Sequence, residues 1–159
     1  MIKIVCVGKI KEAFYREAIL EYSKRLSKYT KLEIVEVADE GTIDKTLKLE
    51  SERILKNIKD NEYVITLEID GRNLSSLEFS NLIDKTLINN SNITFVIGGS
   101  YGLDDIVKQR SNYALSFSKM TFPHQLFRVV LLEQIYRTFK INNNENYHKW
   151  IKFKIPAHY

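Results

Sequence analysis

Gly98, Gly99 and Gly102 follow an apolar run in the stretch ITFVIGGSYGL. A glycine pair directly after a buried strand marks a place where side chains have to be absent. Phosphate cradling is the first chemistry such a loop suggests. The spacing excludes its two common forms, because a dinucleotide fingerprint reads G-x-G-x-x-G and a P-loop reads G-x-x-x-x-G-K-[ST]. A second candidate, FSKMTFPHQ from Phe117 to Gln125, comes one strand later. His124, His148 and His158 do not pair with Cys6 or with carboxylates at ligand spacing, so no metal site is expected. No G-x-S-x-G, H-E-x-x-H or Cys–His pattern offers a nucleophile or a metal-bound water. Ligand binding on backbone and apolar walls is what remains. Phe117, Met120 and Phe122 are then either pocket walls or ordinary core.

The elements that would position these loops alternate. Strands are expected at 2–7, 32–37, 63–69, 93–97 and 113–117, with helices near 11–29, 43–59, 76–88, 104–110 and 124–140. Strict strand–helix alternation predicts a parallel sheet covered by helices. The unbroken apolar character of VITLEI and ITFVI suits central strands buried on both faces. Ligands of open α/β sheets bind beyond the carboxyl ends of the strands, where both candidate loops fall. IDGRN at 69–73 reads as a turn. Ser75 and Glu78 form a capping-box pattern for the third helix. Pro123 stands where a helix can begin. The helix after it, HQLFRVVLLEQIYRTFKI, is apolar on more than one side, which predicts burial on two sides and a second copy of the chain as partner.

Composition narrows the setting. At 159 residues, 44% hydrophobic and 28% charged, the chain has the size and balance of one soluble domain. No apolar run approaches the roughly 20 residues of a membrane span. Cys6 is the single cysteine, so no internal disulfide forms and a reducing cytoplasm is expected; the thiol itself reads as a small buried hydrophobe. Charge is distributed unevenly. Residues 1–31 hold 8 basic and 3 acidic side chains, residues 32–100 hold 7 and 13, and residues 101–159 hold 9 and 4. If the ends meet, they make a basic face suited to a phosphate backbone; if they do not, they are solvated helix faces.

FVIGGSYGL, RSNYALSFSKMTFPHQLFRVVLLEQIYR and NYHK, in this order and spacing, resemble the SPOUT-class methyltransferases, and within them the enzymes that methylate a pseudouridine of large-subunit ribosomal RNA. The likeness runs from IKIVCVGK to His148. It implies an α/β fold, a parallel sheet flanked by helices with a C-terminal trefoil knot (the α/β knot). It also implies a homodimer and S-adenosylmethionine (S-adenosyl-L-methionine) as cofactor. The positions matching the family's cofactor site are Leu67, Gly98, Phe117, Ser118, Lys119, Met120, Thr121 and Phe122. Backbone groups would hold the adenine and methionyl parts, with Leu67, Phe117 and Met120 as apolar walls and Gly98 beside the cofactor.

The implied reaction is methyl transfer to N3 of a pseudouridine in 23S rRNA of the assembled ribosome. It needs alignment of nucleophile, methyl and sulfur, and loss of the N3 proton, without a metal. Tyr147, His148 and Lys149 match a Tyr-His-basic motif that borders the target base. His148 would assist proton removal and Tyr147 would stack or hydrogen-bond, while Lys149 and Arg128 would hold phosphates or carbonyl oxygens. Lys9, Lys11 and Arg16 of the first basic segment would grip the ribosome. One departure stands out: WIKFKIPAHY follows Lys149, where the family usually stops. The expected organisation is therefore a catalytic domain at 1–148 and an atypical extension at 149–159. That tail leaves room for another reading, a non-catalytic ribosome-binding homologue that still binds S-adenosylmethionine. Without the resemblance, a nucleotide- or flavin-binding module would fit as well.

Overall fold

A computed structural model describes residues 1–39 and 43–149, with the side chains of 43–45 excepted. Five strands and five helices alternate along them: β1 (Ile2–Val7), α1 (Ala13–Leu26), β2 (Leu32–Val37), α2 (Ile43–Lys56), β3 (Tyr63–Asn73), α3 (Ser76–Asn89), β4 (Ile93–Ile97), α4 (Asp105–Arg110), β5 (Tyr113–Ser116) and α5 (His124–Asn142). The strands make one parallel sheet in the order β2-β1-β4-β3-β5. This is the architecture that the alternation predicts.

Period-two alternation divides the sheet between two helix layers. Ile2, Ile4 and Cys6 of β1 join Ile65, Phe95 and Ile97 in a core that includes Leu26 of α1, Phe79 and Ile83 of α3, and Leu131, Leu132 and Ile135 of α5. Val5 and Val7 face the other way, packing with Val64, Val96, Ile54 of α2 and Val107 of α4. Cys6 is fully buried, as expected of a small hydrophobe, and burial pushes its thiol up to about 11. Lys3 interrupts β1 with a charge, and Glu62 neutralises it at 2.6 Å while Thr94 donates to the other carboxylate oxygen.

Local signals hold up where they rest on capping chemistry. Ser75 accepts from the Glu78 amide and the Glu78 carboxylate accepts from the Ser75 amide, closing the capping box of α3. Pro123 is the residue from which α5 starts. The turn expected at 69–73 is corrected. Leu115 of β5 pairs with Leu67 and again with Arg72, so residues 68–71 loop out and β3 resumes as far as Asn73. Gly71 permits this: a Cβ there would lie 2.7–2.9 Å from the backbone of Ala114 and Leu115.

The two-sided burial expected of α5 is met in part within the chain, since α1 and α3 pack along its flanks. Leu126, Phe127, Val129 and Val130 stay half-buried. Because α5 begins at the end of β1 while β5 lies at the far edge, residues 117–123 cross the carboxyl ends of β3 and β4 to reach it. That crossing builds the site. The tail that follows Lys149 lies outside the described residues.

Candidate functional site

A cleft of about 190 Å³ opens at the carboxyl ends of β3, β4 and β5. The looped-out end of β3 supplies Leu67, Glu68 and Ile69, β4 and its glycine loop supply Ile97–Ser100 and Gly102, and β5 with the crossing segment supplies Leu115–Ser118 and Met120–Phe122. His124 and Phe127 close it from the first turns of α5. Seven of the eight cofactor positions read from the sequence therefore meet here; Lys119 is exposed and is not among the lining residues. Aromatic contacts set the walls. Phe127 meets Phe117 edge-on at 5.0 Å and stacks on Phe122 at 5.9 Å, and Phe117 meets Phe79 at 6.3 Å. Ser118 accepts from the Met120 amide at 3.0 Å and its carbonyl accepts from Ser116, which tightens the turn.

The expectation for Gly98 is revised. It lines the cleft, but the side chain is excluded by the loop itself: a Cβ at Gly98 would lie 2.4 Å from the Gly102 carbonyl oxygen. Gly99 and Gly102 form a bridge that folds the loop back on Gly98, and Gly102 takes a φ of +78°. The glycines thus make a compact ledge rather than an open cradle.

The electrical character of the cleft is unusual for a nucleotide-type pocket. Its lining holds one carboxylate, Glu68, and no lysine or arginine. His124 is held below the usual histidine pKa by burial and then by the Arg128 charge, so it is neutral at pH 7, and its buried Nδ1 has no hydrogen-bond partner. Such a lining holds phosphates weakly at best and suits a cation with an apolar, heteroaromatic body. S-adenosylmethionine has that chemistry: a sulfonium, an adenine and few formal negative charges. Leu67, Phe117, Met120, Phe122 and Phe127 would wall it.

Arg128 does not fill the role read from the sequence. It is 2% exposed, donates to the carbonyls of Val7 at 2.9 Å and Gly8 at 2.6 Å, and pairs with Glu36 at 2.7 Å. Those contacts clamp α5 onto β1 and leave the guanidinium turned into the protein. Lys9, Lys11 and Arg16 do come together, in the exposed loop after β1 and the first turns of α1. Arg16 donates to the carbonyls of Ile10 and Lys11, and the Lys11 amide donates to Gln125 at 2.9 Å. The basic loop is thereby tied to the rim of the cleft, beside His124.

Tyr147 and His148 also meet, but elsewhere. They pack on Glu133 and Arg137 of α5: the Tyr147 hydroxyl donates to Glu133 at 3.2 Å, its ring lies 4.8 Å from the Arg137 guanidinium, and Arg137 Nη1 lies 3.0 Å from His148 Nδ1. Burial and the nearby Glu133 charge push the Tyr147 hydroxyl up to about 12, and burial with Arg137 holds His148 below the usual value. Nine to thirteen residues separate His124 from Glu133 and Arg137, roughly 13–20 Å at about 1.5 Å per residue. Within one chain the pair does not border the cleft. Lys149 is exposed beside it.

Sequence reasoning missed several residues here. Glu133 and Arg137 read as an ordinary i,i+4 ion pair along the last helix, and nothing in their spacing announces that they hold Tyr147 and His148. Phe127 and His124 were legible in principle, since α5 starts at the segment already singled out. Among the described residues no cluster of three or more His, Cys, Asp or Glu is placed to hold a metal ion, and no helix is long and apolar enough to cross a membrane.

Comparison with known proteins identifies the family. A family described as "Predicted SPOUT methyltransferase" matches residues 1–148. A "Ribosomal RNA large subunit methyltransferase H" of Clostridium botulinum (strain Kyoto / Type A2) is 59% identical over 157 residues, covering 93% of this chain and 99% of the relative. The protein of the same name from Clostridium tetani (strain Massachusetts / E88) is 56% identical with the same coverage. Among solved structures, a probable methylase family protein from Haemophilus influenzae Rd KW20 matches with a TM-score of 0.52 and 16% identity, over 93% of this chain and 70% of that one, a likeness of fold.

Proposed function

This chain belongs to the SPOUT methyltransferases, and from that premise we propose that it transfers a methyl group from S-adenosylmethionine to N3 of a pseudouridine in 23S rRNA of the assembled ribosome. The observation that carries the reading is the convergence of three separate segments, 67–69, 97–102 and 115–122, on one cleft that is apolar, aromatic and free of cations. Bound there, S-adenosylmethionine supplies a methyl that is already electrophilic, so no metal is called for. The chain has to orient, exclude water and hold the target base.

Orientation falls to the ledge at Gly98–Gly102 and to the Phe117–Phe127–Phe122 wall, both fixed by packing before any ligand enters. Glu68, tied to Thr66 and near Lys108, is the one carboxylate among the lining residues. The family's trefoil knot belongs to this reading, with the crossing segment 117–123 as its threaded part. The base-facing pair Tyr147 and His148 lies several helical turns from the cleft of its own chain, so it serves the cleft of a second copy. We therefore include a homodimer in the proposal. Its contact region is the apolar rim where Met120 is 76%, Ile69 53% and Tyr101 50% exposed. Lys9, Lys11 and Lys149 then add phosphate contacts around a cytoplasmic ribosomal target.

The test is incubation of the purified protein with tritiated S-adenosylmethionine and ribosomes from a strain lacking the modification. Label should appear in 23S rRNA, at a pseudouridine, and be far weaker with the isolated stem-loop. Label confined to free RNA, or none in ribosomes, would overturn the proposal.

A further inference from the structure

The nitrogen that His148 presents to its surroundings is decided by Arg137. A guanidinium carries only N–H groups and cannot accept a hydrogen bond. With Arg137 Nη1 at 3.0 Å, His148 Nδ1 must offer its lone pair, and a neutral imidazole in that arrangement carries its proton on Nε2. Arg137 is itself held. Glu133 accepts from its Nη2 at 2.5 Å and from its Nε at 3.4 Å, and the Tyr147 ring lies against its guanidinium while the Tyr147 hydroxyl donates to the same Glu133. These are the ionisable groups packed on the ring: Arg137 and Glu133 from α5, and Tyr147 beside it.

We infer that His148 acts on the target base as an Nε2–H donor rather than as the base that removes its proton, and that Arg137 is the positioning residue that fixes this tautomer. The inference rests on the reading of Tyr147 and His148 as the base-facing pair. N3 of a pseudouridine lies between two carbonyl groups, and its ionisation spreads negative charge onto both oxygens. An N–H aimed at one of them stabilises that charge as it forms. The proton from N3 passes to solvent water or hydroxide. The N3 electron pair then forms the new bond to the methyl carbon, and the carbon–sulfur bond breaks with its pair left on sulfur, giving a neutral thioether. Protonation of His148 would set a second N–H against Arg137, and burial together with that charge opposes it.

Long-range nitrogen–proton spectra of the full-length, 15N-labelled protein at pH 7.5 test the tautomer without any turnover; His148→Gln identifies the signals. The expected result is the Nε2–H form alone. An Nδ1–H form, or the exchange-averaged mixture of a free imidazole, overturns the inference. Arg137→Met should relax the ring toward that mixture and raise its titration midpoint, and Arg137→Lys, which keeps a donor, should restore part of the preference. No change in either variant overturns the role of Arg137.

Methylation of ribosomes then separates donor from base. A glutamine amide can donate but cannot take a proton, so His148→Gln should keep at least about a tenth of the wild-type rate while His148→Ala loses about 100-fold. Equal loss in both overturns the donor role. The wild-type rate should also keep climbing with pH above 7, and a plateau above the His148 midpoint overturns it. If the spectra give the Nε2–H form and the wild-type protein methylates nothing, the enzymatic reading falls while the tautomer assignment stands.

Discussion

Replacing Arg128 with methionine separates a clamp from an RNA contact. The side chain is 2% exposed and donates to two backbone carbonyls, those of the buried residues Val7 and Gly8. A buried acceptor left without a donor costs about 1–3 kcal/mol. Glu36 is 38% exposed, so its carboxylate recovers water and adds little, about 0–1 kcal/mol. The sum is about 2–7 kcal/mol, a range that contains the roughly 3–5 kcal/mol found when one partner of a buried ion pair is removed. For a chain of this length each kcal/mol lowers Tm by about 2–4 °C, so Arg128→Met should melt roughly 10 °C below the wild type. Calorimetry and urea unfolding at fixed protein concentration provide the measurement, with S-adenosylmethionine titrated into the folded fraction. Met matches the stem of Arg, so lost packing contributes little. Stability within about 1 kcal/mol of wild type, combined with a selective loss of ribosome affinity, would refute the clamp and restore the phosphate-gripping role that residue type alone suggests.

Further outcomes follow from other contacts. Gly98→Ala places a methyl 2.4 Å from the Gly102 oxygen and should cost about 1–3 kcal/mol and most of the affinity for S-adenosylmethionine; normal melting and normal titration would show that the ledge has slack. Lys9→Ala with Lys11→Ala should lower the slope of log affinity for ribosomes against log salt by about 2 while cofactor titration stays unchanged, and an unaltered slope would remove the loop from the interface. His124 and His148 both have pKa values held below the usual 6.5, so the unfolded chain binds more protons below that pH. Stability should therefore be flat above about pH 7.5 and fall as pH drops through about 6.5, and His124→Gln should shallow that fall. Identical Tm–pH slopes for the two proteins would count against the buried neutral His124.

The sheet was legible because its signal is periodic and local: strand cores and the Ser75–Glu78 capping box depend on a few neighbouring residues. The looped-out end of β3 was not, since IDGRN carries turn residues whether the chain reverses or merely leaves the ladder for four positions. Only Ala114 and Leu115, distant in sequence, decide between the two. Arg128 and Arg137 make the same point for the site. Both are arginines on one helix, nine residues or about two and a half turns apart, and residue type gives each a phosphate-binding meaning. Contacts with β1 in one case and with Tyr147 and His148 in the other assign them to holding the protein's own groups. The segments that converge on the cleft were readable from motif, yet the reason for Gly98 lay in a backbone oxygen four residues on.

The rigidity of α5 has a consequence for how many copies the chemistry needs. His124 at its first turn lines the cleft, and Arg137, which holds His148, is thirteen residues further, roughly 20 Å at about 1.5 Å each. Reacting groups have to approach to about 3–3.5 Å, and a helix clamped to β1 by Arg128 cannot shorten that separation. If His148 works on the base, it works on the base at another subunit's cleft. Two defects on different halves of the site should then complement. Leu67→Arg puts a cation into the cleft against the sulfonium, and His148→Ala removes the donor; each homodimer should be inactive. A mixed dimer has one site with both defects and one with neither. Random reassortment of equal amounts makes about half of the dimers mixed, each with one of two sites intact, so activity should return to about a quarter of wild type. Recovery at that level, rising from nothing as subunits exchange, supports the shared site. Mixtures that stay inactive after exchange is verified by mass would mean that cleft and pair belong to the same chain, and that the crossing from cleft to His148 is made by some route other than α5.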